Sequence, residues 1–175
     1  SASAGAPPFL LTADSLAGVL PTIRSRCISF AVAPVSPEDC ARYCTAQGVG
    51  AKDAALYSAL FDGHIGTVLA AARDEARREQ VDRALALAKA AAVKDSYAAA
   101  VLLAAYEKDK AGASALLADF RAVAAAGLRG SPHSPVEGET ARKALGAADA
   151  AMQQIGAQVN PKIVLSVLAA KFRTF

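Results

Sequence analysis

Residues 81–93 read VDRALALAKAAAV, and stretches of this kind decide the fold class of the chain. Hydrophobic residues make up 54% of the sequence, much of that share is alanine, and only 6% of the residues are aromatic. Alanine has the highest helix propensity and contributes little to a sheet. The composition therefore predicts an all-α fold. A chain of 175 residues is long enough to bury the core of one ordinary domain or of two small ones.

Capping residues and glycines predict where the other helices begin and end. Ser36 and Pro37 form an N-cap followed by proline at the first helical position, and Asn160 and Pro161 repeat this arrangement. Apolar residues three and four positions apart indicate the buried faces between these boundaries. The predicted helices cover approximately residues 37–47, 51–61, 64–72, 81–93, 96–107, 110–128, 139–158 and 161–175.

Two segments between the predicted helices have a different composition. Residues 73–80 mix positive and negative charges, which indicates a solvated helix or a hinge between modules. A groove for DNA built from Arg73, Arg77 and Arg78 is the alternative interpretation, and the interleaved acids disfavour it. Residues 130–138 are rich in Pro, Ser and Gly and predict a flexible loop.

Charge, hydropathy and cysteine spacing exclude several classes of protein. A net charge of +3 is too mild to indicate nucleic-acid binding by itself. No run approaches the about 18 uninterrupted apolar residues of a membrane span, so we expect a soluble cytoplasmic protein with no membrane partner. Cys27, Cys40 and Cys44 contain no CxxC pair, and His64 and His133 show no ligand spacing, which disfavours a zinc site. Cys40 and Cys44, four positions apart, are expected in the core, and His133 at the surface.

The segment LPTIRSRC, residues 20–27, is the one candidate functional site that the sequence indicates. The apolar run FLLT precedes it at residues 9–12. An apolar run that ends in threonine predicts a strand carrying polar groups to a charged ligand. Arginine is well suited to bind phosphate, because its planar guanidinium group is always charged and can donate hydrogen bonds to two oxygens at once. A solvated surface turn is the alternative interpretation. Because no later segment could pair with such a strand, we expect its partner strands to be missing and the chain to be a C-terminal fragment.

Residues 9–12 and 20–27, together with the helices after them, resemble the clamp-loader branch of the AAA+ proteins. The phrase Ser25-Arg26-Cys27 is highly specific to that branch. The closing phrase VNPK, at 159–162, is similar to the start of the last helix in a clamp-loader collar. The resemblance covers essentially the whole chain.

The resemblance implies three regions in an otherwise all-α chain. Residues 1–33 would be a remnant of the ATPase core, with its last strand and the Ser-Arg-Cys segment. Residues 34–74 would form a three-helix lid, and residues 75–175 a five-helix collar through which subunits associate.

The resemblance also assigns roles to individual residues. Arg26 matches the arginine that reaches the γ-phosphate of ATP held by a neighbouring subunit, where such a cation contributes roughly 10³–10⁵ in rate. Thr12 stands at the position of the polar residue called sensor 1, whereas Arg24 matches no such role. Thr67 occupies the sensor 2 position, where ATP-binding members carry arginine. This implies a subunit that does not use nucleotide itself.

The sequence contains no GxxxxGK[ST] phosphate loop and no acidic strand for magnesium. We therefore expect no cofactor on this chain and no ATPase or polymerase activity of its own, with ATP and magnesium bound by neighbouring subunits. The implied partners are the gamma/tau and delta clamp-loader subunits and, through the assembled complex, the sliding clamp and primer–template DNA. Two alternatives remain open: a gamma/tau ATPase subunit without its nucleotide-binding core, and an unrelated all-helical adaptor.

Overall fold

The computed structural model describes residues 9–13, 15–32 and 35–175. These residues form helices, turns and irregular segments, with no β-strand among them, which confirms the all-α prediction. The chain divides into two compact units, with the boundary between residues 33 and 34. Residues 1–8, 14, 33 and 34, which belong to the predicted core remnant and to the start of the predicted lid, lie outside the described residues.

The N-terminal unit contains a short 3₁₀ turn, Leu16–Gly18, and the four-residue helix α1, Pro21–Arg24. Proline opens α1 because its fixed φ suits the first helical position. The prediction of a strand at residues 9–12 is wrong, since these residues belong to neither a helix nor a strand. A strand is held by ladder hydrogen bonds to a partner, and the described part of the chain supplies no partner strand.

The C-terminal unit contains eight helices among its described residues, and each predicted helix is present, with ends that differ from the predicted ones by up to six residues. They are α2 (Pro37–Ala46), α3 (Ala51–Leu60), α4 (Ile65–Arg73), α5 (Glu75–Ala92), α6 (Ser96–Ala104), α7 (Lys110–Leu128), α8 (Gly138–Gly156) and α9 (Pro161–Lys171), followed by a 3₁₀ turn (Phe172–Thr174).

Side-chain caps explain most of these helix starts. Ser36 Oγ accepts a hydrogen bond from the amide of Asp39 at 3.1 Å, as the sequence predicted for α2. Asp74, Asp95 and Asp109 cap α5, α6 and α7 in the same way. The cap at Asp74 places the start of α5 six residues before the predicted one, so most of the charged segment at 73–80 is helical.

The core of the C-terminal unit is built around α7. This helix packs against α8 and α5 and also touches α3, while α2 packs on α3 and α6 packs on α9. Small alanine side chains let these helices approach closely, and aromatic rings fill the space at one end. The rings of Phe120 and Phe172 are 5.9 Å apart between centroids, and those of Phe172 and Phe175 are 4.8 Å apart.

The loop between α7 and α8 is packed on α7, whereas its composition predicted a flexible segment. Ser134 Oγ donates a hydrogen bond to the carbonyl of Val123 on α7 at 2.9 Å, and Val136 is buried. Gly127 allows this contact, because a Cβ there would lie 2.0 Å from the carbonyl oxygen of Val136. His133, at the tip of the loop, is exposed as predicted.

Among the described residues, only α7 is long and apolar enough to cross a membrane by length and composition, with a mean hydropathy of 1.3. Half of that stretch is buried inside the C-terminal unit. The core helix of a water-soluble bundle meets the same criteria, so the finding is weak evidence for a span.

Candidate functional site

The candidate site is the turn formed by Ser25, Arg26 and Cys27 directly after α1. Ser25 Oγ donates to the carbonyl of Thr22 at 3.2 Å, and the amide of Arg26 donates to the carbonyl of Ile23 at 3.0 Å. The amide of Cys27 donates a longer hydrogen bond, of 3.4 Å, to the carbonyl of Arg24. The backbone that carries Arg26 is therefore organised by local hydrogen bonds.

The side chains of Arg24, Arg26 and Cys27 are all exposed. Neither arginine forms an ion pair or a side-chain hydrogen bond with the residues that the structure describes. Cys27 is a free thiol. A guanidinium in this setting can bind a phosphate or carboxylate that another molecule brings to it.

The two residues matched to sensor positions lie in different units. Thr12 is exposed and belongs to the N-terminal unit, together with Arg26. Thr67 is half-buried on α4 in the C-terminal unit. Their roles in a nucleotide site stay predictions.

The N-terminal unit also exposes a series of large apolar side chains, some of them in the run at residues 9–12 that was predicted to be a strand. Their exposed fractions range from 40% to 94%, and so much exposed apolar surface typically marks a region that another part of a protein covers. The residues are Phe9, Leu10, Leu11, Leu16, Leu20, Ile23, Ile28, Phe30 and Val32. The last three alternate with smaller residues, a period of two that is typical of a strand, but residues 28–32 form neither a helix nor a strand in this structure.

The arginines of the charged segment are engaged within the C-terminal unit. Arg73 donates to the carbonyl of Gln47 at 3.0 Å, and Arg77 binds the carboxylate of Asp119. Arg78 donates to a backbone carbonyl near the end of α4 at 2.7 Å. Of the three arginines in the alternative DNA-binding groove, Arg77 is therefore paired with a buried carboxylate, whereas Arg73 and Arg78 remain exposed.

The cysteines of α2 belong to the core, as predicted. Cys40 and Cys44 are fully buried, and burial, followed by the neighbouring Cys40, raises the pKa of the Cys44 thiol. In the described part of the chain, no group of three or more His, Cys, Asp or Glu side chains could hold a metal ion.

Helices α6 and α9, in the region predicted to be the collar, expose apolar pairs. Tyr97 and Val101 are 79% and 57% exposed on α6, and Ile163 and Val167 are 60% and 47% exposed on α9. Each pair is four residues apart and so lies on one face of its helix. Helices α6 and α9 are in contact, and each exposes one of these apolar pairs.

No family model matches this chain, and comparison with the curated proteins and with the solved structures gives no match either. The resemblance to clamp loaders therefore rests on the motif residues themselves.

Proposed function

We propose that this chain is a non-catalytic subunit of the bacterial DNA polymerase III clamp loader, of the delta prime type. In this role it assembles with the gamma/tau and delta subunits, which load the sliding clamp on primed DNA in the cytoplasm. It supplies Arg26 to the ATP site of a neighbouring subunit. ATP and magnesium are held by that neighbour, and this chain has no ATPase activity.

The observation that carries the proposal is the placement of Arg26. An arginine that acts in trans has to stand on an ordered backbone, exposed to the neighbouring subunit, so that the phosphate becomes its partner. Arg26 meets these requirements, since its turn is organised by local hydrogen bonds and its side chain is exposed without an ion pair among the described residues. The exposed apolar side chains around it are consistent with a segment that normally packs against the rest of an ATPase core.

The helical C-terminal unit supports the other half of the proposal. Three described helices, α2 to α4, fall within the region predicted to be the lid, and five, α5 to α9, fall within the predicted collar. The apolar pairs on α6 and α9 suit a surface through which subunits associate. Thr67 in place of the sensor arginine favours the delta prime type over gamma/tau.

The deciding experiment is the substitution Arg26→Ala in the full-length protein, reconstituted with gamma/tau and delta subunits. Assembly is measured by size-exclusion chromatography and ATP hydrolysis is measured with primed DNA present. We expect normal assembly and slower hydrolysis, by up to the roughly 10³–10⁵ that such an arginine contributes at the site it serves.

Arg24→Ala is the matched control, because Arg24 is also exposed but matches no role. It should leave both assembly and hydrolysis unchanged. An undiminished rate with Arg26→Ala would remove the proposed role of that residue. Failure of the unmodified protein to bind gamma/tau and delta would favour the helical adaptor, and nucleotide binding by the full-length protein would favour gamma/tau.

A further inference from the structure

Asp119 is a buried carboxylate in the middle of α7 and has no part in the proposed function. Only 4% of the residue is exposed. Both terminal nitrogens of Arg77 on α5 bind it, with Nη2 at 2.6 Å from Oδ1, and Gln80 Nε2 donates to Oδ2 at 2.9 Å. A buried charge is tolerated only where its partners are placed as closely as this.

The same guanidinium also lies over an aromatic ring at the end of α3. The Cζ atom of Arg77 lies 5.5 Å from the centroid of the Phe61 ring, in the range of a cation–π interaction. Phe61 is buried and is the C-cap residue of α3. Arg77 therefore connects α3 to α7, and we call Phe61, Arg77, Gln80 and Asp119 the Asp119 cluster.

The chain itself connects helices α2–α4 to helices α5–α9 through a single residue between α4 and α5. Helix α4 ends at Arg73 and α5 begins at Glu75, so that Asp74 alone separates them. Asp74 has an extended backbone, with φ of −103° and ψ of 117°. Residues at helix ends that can change φ and ψ are the usual hinges between rigid parts.

A second arginine also links the end of α7 to the end of α3. Arg129, which follows α7, pairs with Asp62 at 3.4 Å and donates to the carbonyl of Ala59 on α3 at 3.3 Å. This pair is partly exposed and contributes little by itself. Like the Asp119 cluster, however, this pair forms only when the end of α3 lies close to α7.

We propose that the Asp119 cluster is a conformational lock, which fixes α2–α4 on α5–α9 so that the C-terminal unit moves as one rigid body. The physical reason is the difference between apolar and ionic contacts. Apolar burial is non-directional, whereas the buried Asp119 carboxylate finds its hydrogen-bond partners in one relative position of the helices only. A partner that binds either part of the unit then displaces the other part as well. The proposal does not depend on the clamp-loader function.

The test removes both charges together, with the substitutions Arg77→Met and Asp119→Leu in one protein. Replacing a buried ion pair by apolar groups of similar size usually preserves stability. The double variant should therefore still fold, and any change in the relative position of α2–α4 and α5–α9 can be measured in a folded protein. Spin labels are attached at two exposed positions, Ala46→Cys on α2 and Ser166→Cys on α9, after Cys27→Ser has removed the exposed native thiol. Pulsed electron paramagnetic resonance then measures the distance between the labels.

We expect one narrow distance distribution in the labelled protein that keeps the cluster, and a distribution at least twofold broader in the double variant. The matched control removes the exposed pair between Arg121 and Asp149, as Arg121→Gln with Asp149→Asn, and should leave the distribution narrow. A folded double variant with an unbroadened distribution would overturn the lock.

A measurement on the unmodified protein keeps the proposal testable if the double variant does not fold. A lock requires the slowest-exchanging amides of α3 and of α7 to exchange through the same opening, with equal protection. Amides throughout α2–α4 that exchange tenfold or more faster than those of α7 would show that the two parts open separately, and the proposal would fail.

Discussion

Gly63 lies directly against the backbone carbonyl of Val35, and a Cβ on Gly63 would come within 1.9 Å of that oxygen. The contact joins the connection between α3 and α4 to the segment that leads into α2. Gly63 also has a φ of +74°, in the left-handed region. Glycine is therefore required here by the backbone conformation and by the lack of space.

We expect Gly63→Ala to lower the free energy of unfolding by about 1–3 kcal/mol from the left-handed backbone alone, and by more once the clash with Val35 is added. Gly66→Ala is the matched control on α4, because a Cβ there would have no atom within 4 Å. It should raise stability by about 0.4–1 kcal/mol, since alanine restricts the unfolded chain and favours the helix. Urea unfolding measures both changes. Equal stability of Gly63→Ala and the unmodified protein would contradict the contact.

The three cysteines should differ sharply in reactivity. Cys27 is exposed, whereas Cys40 and Cys44 are fully buried, and burial raises the pKa of the Cys44 thiol. Because the thiolate is the reacting species, we expect one fast-reacting thiol per folded chain with an aromatic disulfide reagent near pH 8, and three in guanidinium chloride. Cys27→Ser should remove the fast phase. Two or three fast thiols in the folded protein would mean that α2 does not bury its cysteines.

Tyr57 should make stability depend on alkaline pH. Burial raises the pKa of its phenol above the ordinary value, and the charge of nearby Arg78 opposes this only in part. In the unfolded chain the phenol ionises near pH 10. Below about pH 10 the phenol is neutral in both states, and its contribution to the free energy of unfolding is fully present. As the pH rises from there towards the folded-state pKa, that contribution is lost, because the unfolded state releases the proton first.

Tyr57→Phe tests this directly, since it keeps the buried ring and removes the ionisable group. Between pH 9 and pH 11 the variant should lose less unfolding free energy than the unmodified protein. Absorbance at 295 nm should show the last-titrating phenol missing from the variant. The same pH dependence in both proteins would argue against a buried, neutral Tyr57.

Several features of this protein follow from its sequence alone, because they depend on neighbouring residues. The cap formed by Ser36 and the proline after it predict the start of α2, since the hydrogen bond involved spans only three residues. The high alanine content predicts an all-α fold, and helices occupy most of the chain from Pro37 onward. Asp74 shows how such a signal can be missed. Its carboxylate caps α5 at 3.0 Å from the amide of Ala76, but Asp74 lies in a segment of mixed charges that was not assigned to the predicted helix.

The candidate site is predictable only in part. The motif at residues 25–27 singles out Arg26, and the structure adds that its turn is locally hydrogen-bonded and its side chain exposed. Whether that arginine serves a neighbour's ATP depends on a second molecule, which neither the motif nor this chain contains. The role of Arg26 therefore stays a prediction until the reconstitution is done.

Other features were decided by the tertiary structure. Arg77 and Asp119 are 42 positions apart, and no local pattern indicates that one will neutralise the other. The loop between α7 and α8 has the composition of a flexible segment, but Val136 and Ser134 pack it on α7. The sequence by itself determined which segments become helices, since propensity and capping act within a turn or two. Only the folded chain decided which charges are buried and which glycines are indispensable, because those properties depend on residues that are distant in sequence and adjacent in space.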